Sequence, residues 1–182
     1  MSYRNIKGGL KTMDMSNLKG ALGEIFLKQH LDEYKLIKVN YGWPLFNKLT
    51  FPKEPEGSFI EETGLIVGHK EHQEVYDNYM KERNRIINET YGTKTFPDFY
   101  IDNSSIFIEV KSMKVFNLSS LSKKQQREFP KLVKKGFKVF VVNVNLIIEK
   151  HKFEVKNMEW FFLTIDGQLK KTTENALKIG KQ

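Results

Sequence analysis

Apolar and polar positions change period several times along the chain, and each change marks an element. From Ser16 onward Leu18, Ala21, Leu22, Ile25 and Phe26 recur at three and four, which predicts a helix with Ser16 as its N-cap. Gly20 and Gly23 interrupt that pattern at a cost of ~1 kcal/mol each, which predicts close approach of another element. Tyr34 to Tyr41 reads as a strand, 42–57 as a loop, and 69–90 as a second helix with Val75, Tyr79, Arg83, Ile86 and Ile87 in phase. Two apolar runs follow, Phe96–Tyr100 and Ile106–Lys111, and Asp102-Asn103-Ser104-Ser105 between them predicts a hairpin turn. Ser122 and Gln125 have the spacing of a capping box, Leu121, Phe129, Leu132 and Val133 form a helical stripe, and Gly136 ends it. Pro130 inside the stripe predicts a kink or a break. Phe137–Ile148 is nearly continuous in apolar residues, as for a strand buried on both faces. Phe153–Val155 and Trp160–Ile165 predict two more strands, with a turn at Asp166-Gly167. The order of elements predicts an α/β fold, a mixed central β-sheet flanked by helices.

A chain of 182 residues, 40% hydrophobic and 29% charged, is expected to form a single soluble domain over 1–182. Its core would span about 16–148, with additional strands over 149–170, a polar lead over 1–15 and a polar tail over 171–182. No apolar run approaches the ~20 residues of a membrane span, and no signal pattern precedes residue 20. Cysteine is absent, which excludes disulfides and thiolate metal sites and fits a cytoplasmic setting.

Charge changes the picture. Residues 1–91 hold 13 basic and 13 acidic side chains, so the net charge of +8 lies wholly in the second half. Nine Lys and Arg fall within 111–138 against Glu128 alone. That density favours a polyanionic partner, with Lys114, Lys123, Lys124 and Arg127 as candidate DNA contacts. The competing reading is a solvated lysine-rich face. Trp43, Phe46 and Phe51 in the 42–57 loop could stack on unpaired bases, although loop aromatics more often plug their own core.

The candidate chemistry lies on the hairpin. Side chains alternate along a strand, so Ile106, Ile108 and Val110 share one face and Phe107, Glu109 and Lys111 the other. A charged pair between apolar positions needs a metal, a partner or solvent to offset desolvation. The hairpin returns Glu109 beside Asp98, and two converging carboxylates make a hard-oxygen site suited to Mg²⁺ or Mn²⁺. Lys111 could orient water or hold charge developing on phosphorus. The alternative is a Glu109–Lys111 surface pair of little energetic weight. Glu24 either sits half buried at the core edge or pairs with Lys28 one turn on. His69, Glu71 and His72 lack an obvious further ligand and read as surface residues.

Pro97-Asp98 followed by Glu109-Val110-Lys111 resembles the signature of the PD-(D/E)xK nuclease superfamily. Leu22-Gly23-Glu24 resembles the helix that supplies that superfamily's third acid, and Leu121–Gln125 the helix after the lysine strand. Gly136–Val142 is similar to the buried strand that follows, so the resemblance covers roughly residues 16–148. It implies a restriction-endonuclease-like core in which Asp98, Glu109 and the Val110 carbonyl hold Mg²⁺ or Mn²⁺. Glu24 would be the outer acid, Lys111 the catalytic lysine and Gln125 a polar site residue, with Gln126 as its competitor. The likeness is greatest to archaeal Holliday-junction resolvases and nucleases of archaeal viruses. It therefore implies structure-specific hydrolysis of branched DNA to a 3′-hydroxyl and a 5′-phosphate, by a homodimer. A nuclease of single-stranded DNA or RNA, a non-catalytic nucleic-acid-binding module and a basic structural protein stay open as alternatives.

Overall fold

The computed structural model describes residues 15–39, 42–55, 70–149 and 152–180, which build one six-stranded sheet with helices on both faces. Its strands are β1 (Leu36–Lys38), β2 (Phe99–Ile101), β3 (Ile106–Lys111), β4 (Lys138–Glu149), β5 (Lys152–Leu163) and β6 (Leu169–Thr172), lying side by side in chain order. Every neighbouring pair is antiparallel except β3 and β4, which are parallel. A parallel pair needs a crossover, and the crossover contains helix α4 (Lys123–Lys134). The other helices are α1 (Met15–His30), α2 (Trp43–Phe46) and α3 (Lys70–Tyr91). The mixed sheet and flanking helices are those expected from the order of apolar patterns.

Strand alternation on β3 divides the core in two. Ile106, Ile108 and Val110 join Leu27 and Leu31 of α1, while Phe107 joins Ile87 and Tyr91 of α3 and Phe129 and Leu132 of α4. β4 lies between the layers: Val139 to Val144 are all buried, as its unbroken apolar run predicts. Phe129 and Leu132 are wholly buried, and each such side chain contributes roughly 1.5–3 kcal/mol by leaving water. The Asp102–Ser105 turn forms as expected, with Asn103 in the left-handed region at φ 54°.

Six expectations are corrected. Helix α1 already includes Met15, so Ser16 lies inside the helix and cannot cap it. Of the strand expected over Tyr34–Tyr41, the described residues form only Leu36–Lys38, because Tyr34 turns into the core under α1; Asn40 and Tyr41 lie outside the described residues. A short helix, α2, occupies part of the expected loop and buries Leu45 and Phe46. Pro130 does not break α4. Its missing hydrogen bond is outweighed by the neighbouring burial of Phe129 and Leu132 and by a complete N-terminal capping box. Finally, the two strands expected over 153–165 are one, β5, paired with β4 from Phe140 to Glu149. The expected polar tail supplies the end of β6 and a 3₁₀ turn, Glu174–Gly180, which buries Leu177.

Candidate functional site

Asp98 stands one residue before β2, where Pro97 removes a backbone donor and ends the strand. Its carbonyl accepts the Val39 N–H at 2.8 Å, and its carboxylate Oδ2 accepts the Val110 N–H at 2.7 Å. The aspartate is thus fixed to both neighbouring strands, its side chain replacing a backbone acceptor past the end of β2. Phe99 pairs with Ile108, and one further step of that register sets Asp98 opposite Glu109, where antiparallel partners share a face.

Glu109 is 2% exposed. Its Oε1 accepts from Lys111 Nζ at 2.7 Å and from Gln125 Nε2 at 2.6 Å. The Gln125 amide is doubly engaged, because its Oε1 also accepts the Ser122 N–H at 3.0 Å and completes the α4 capping box. Only one amide orientation serves both contacts: the flipped one would set oxygen against the carboxylate and NH₂ against the Ser122 donor. The capping box and the site therefore share one side chain. Gln126 is engaged elsewhere, donating to the carbonyls of Leu118 and Leu121 at 3.2 and 2.7 Å.

Burial, and then the neighbouring Asp98 charge, pushes the Glu109 carboxyl up to about 7 despite Lys111 and Gln125. Asp98 is also raised, first by burial, with the Val110 N–H opposing and the Glu24 charge adding to the rise. A buried carboxylate beside a half-buried one, with Lys111 as the ammonium in contact, leaves negative charge that a cation would offset. Among the described residues no three His, Asp or Glu side chains converge on a common metal position. The donors available are the two carboxylates and the Val110 carbonyl. That set fits Mg²⁺, which takes one or two carboxylates and keeps water and substrate phosphate in its remaining positions.

Glu24 belongs to α1, on the Val110 side of the sheet, and its Oε2 lies 2.5 Å from Lys38 Nζ on β1 rather than on Lys28. It acts on Asp98 through its charge. Gly23 does mark a close approach, since a Cβ there would collide with Ser112 Oγ; Gly20 has nothing within 4 Å. Lys123, Lys124 and Arg127 are exposed on the first turns of α4, and Lys114 is exposed in the loop after β3. Of these four, Arg127 alone has an acidic partner among the described residues, Glu128 at 2.8 Å. Phe46 is core, 5.8 Å from the Phe96 ring, and not a free stacking platform. The side chains of Trp43, Glu71 and His72, and all of His69, lie outside the described residues.

Two residues near the site escape sequence reasoning. Lys38 is an ordinary lysine in the sequence, and only the fold sets it against Glu24. Asn143 carried a signal, an amide inside a valine run. Fully buried, it accepts the Met113 N–H at 2.9 Å and donates to the Met113 carbonyl at 3.0 Å, which holds the chain just after Lys111. No family model, curated protein or solved structure matches the chain.

Proposed function

We propose that the chain is a divalent-metal-dependent DNA endonuclease that hydrolyses phosphodiester bonds, with branched or Holliday-junction DNA as its substrate. The observation that carries this reading is the constellation of Asp98, Glu109, Lys111 and Gln125 at one end of β2 and β3, with Glu109 buried and doubly held. The order of α1, β1, β2, β3, α4 and β4, with α2 and α3 inserted between β1 and β2 and with a single parallel crossover, supports the PD-(D/E)xK resemblance.

Asp98, Glu109 and the Val110 carbonyl would hold Mg²⁺ or Mn²⁺. Such a cation supplies polarisation of the phosphodiester and a lowered pKa for water. The protein's own groups have distinct tasks. Gln125 fixes the Glu109 carboxylate so that its second oxygen faces a set position. Lys111, 22% exposed at its side chain, can pass from Glu109 to a phosphoryl oxygen and neutralise charge as the P–O bond breaks. Glu24, through its pair with Lys38, adds to the negative field at Asp98 that favours a cation. Lys123 and Lys124, at the positive end of α4, would meet the phosphate backbone beside this arrangement.

The test is a cleavage panel of four-way junction, flap, single strand, plain duplex and RNA with Mg²⁺ or Mn²⁺. Cleavage should be greatest on the branched substrates and vanish in EDTA. Asp98→Asn, Glu109→Gln and Lys111→Ala should each lower the rate at least 100-fold, with circular dichroism unchanged. Wild-type rates in Lys111→Ala would refute the assignment. Binding without cleavage under every metal would leave a nucleic-acid-binding module instead.

A further inference from the structure

Beyond the carboxylate site, on the α1 side of the sheet, a cavity of about 360 Å³ opens where β4 and β5 run past the other strands. Three lysines from three separate elements line it: Lys19 of α1, Lys114 of the loop after β3, and Lys156 of β5. The Asn145 side of β4 completes the wall, and among the described residues no acidic one is part of the lining. None of the three lysines has an ion-pair partner among the described residues, whereas Lys35, Lys38, Lys48, Lys131 and Lys171 all do.

The strand geometry explains why Lys156 is there. Asn145 pairs with Asn157 and Leu146 with Val155, so Lys156 is the extra residue of a β-bulge. A bulge re-aims its side chain away from the regular alternation. Asn143, two residues before the bulge, ties Met113 to β4 and so brings Lys114 to the same cavity. Three like charges on one cavity, without an acidic partner among the described residues, are an arrangement that an anion stabilises.

We infer that this cavity binds a backbone phosphate of the nucleic acid, on the sheet face opposite α4. The inference rests on the nuclease reading for its ligand. It adds a second contact region to Lys123 and Lys124, so that the strand is held on both sides of Asp98 and Glu109. The ligand class is a phosphodiester, recognised by charge without reading bases.

Fluorescence anisotropy of labelled duplex and four-way junction, in EDTA and over a range of NaCl, tests this independently of catalysis. The triple variant Lys19→Ala, Lys114→Ala, Lys156→Ala should reduce the slope of log affinity against log salt by about 0.9, the value for one phosphate, and each single variant by a part of that. A charge-matched control, Lys28→Ala with Lys170→Ala and Lys178→Ala, should leave the slope at the wild-type value. Arginine at the three cavity positions should restore it. Equal slopes for cavity and control triples would overturn the proposal, as would no binding by wild type in EDTA. If the slope change is found but no substrate is cut under any metal, the phosphate site stands and the nuclease reading falls. Cleavage without a slope difference gives the converse.

Discussion

Gln125→Ala separates the two tasks that one amide performs. The first is local: its oxygen accepts the Ser122 N–H at 3.0 Å, and loss of a helix cap costs about 1 kcal/mol. The second is tertiary: its nitrogen donates to Glu109 at 2.6 Å, and losing that donor to a carboxylate at 2% exposure, with Lys111 still in place, costs about 1–3 kcal/mol more. The variant should therefore lose about 2–4 kcal/mol, whereas Ser122→Ala, which removes only the cap, should lose about 1 kcal/mol. With a urea m-value of about 2 kcal/mol/M, the midpoint falls by about 1–2 M in the first case and about 0.5 M in the second. Urea denaturation followed by circular dichroism at pH 8 in EDTA measures both. Glu109→Met closes a double-mutant cycle: in that background Gln125→Ala should cost only the cap, giving a coupling of about 1–3 kcal/mol. If Gln125→Ala is no more destabilising than Ser122→Ala, the link between capping box and site is wrong.

Two further outcomes concern the same end of the sheet. Glu109 is raised to about 7 when folded, against about 4.3 in an unfolded chain, so the unfolded chain gives up its proton first. Its contribution to stability is greatest below the unfolded value and is lost as pH rises through about 7. Asp102 and Glu128 are both lowered to about 2, first by hydrogen bonds from Lys35 and Lys131, so their contributions are lost only in acid. Metal-free urea midpoints should thus fall between about pH 5 and pH 8, and Glu109→Gln should flatten that fall; parallel profiles would count against the burial argument. The two α1 glycines should behave oppositely. Gly20→Ala meets open space and should gain up to about 1 kcal/mol of helix stability. Gly23→Ala drives a methyl into Ser112 Oγ and should cost about 1–3 kcal/mol. In a Ser112→Ala background the nearest remaining contacts are 3.4 and 3.5 Å, and the cost should disappear. Thermal denaturation distinguishes these cases, and a persistent penalty in the double variant would disprove the assigned clash.

What the sequence determined by itself is local and periodic. The two-residue alternation of Ile106–Lys111 already put Glu109 and Lys111 together on the face away from Val110, because pleating makes this independent of the strand's surroundings. The Ser122–Gln125 cap, the Asp102–Ser105 turn and the buried run of β4 were legible for the same reason: each depends on neighbours within a few residues. Tertiary structure decided what depends on residues far apart in the chain. It joined Gln125 to Glu109 across 16 positions and Asp98 to Val110 across 12. It directed Glu24 to Lys38 instead of to its helical neighbour Lys28, since the β1 edge brings a second lysine nearer than periodicity could show. It also overrode local signals where burial outweighed them, carrying α4 through Pro130 and drawing a polar-looking tail into the sheet behind Leu177. A carboxylate's place in the chain sets which face it occupies, but how dry it is, and what holds it there, depends on every element packed around it.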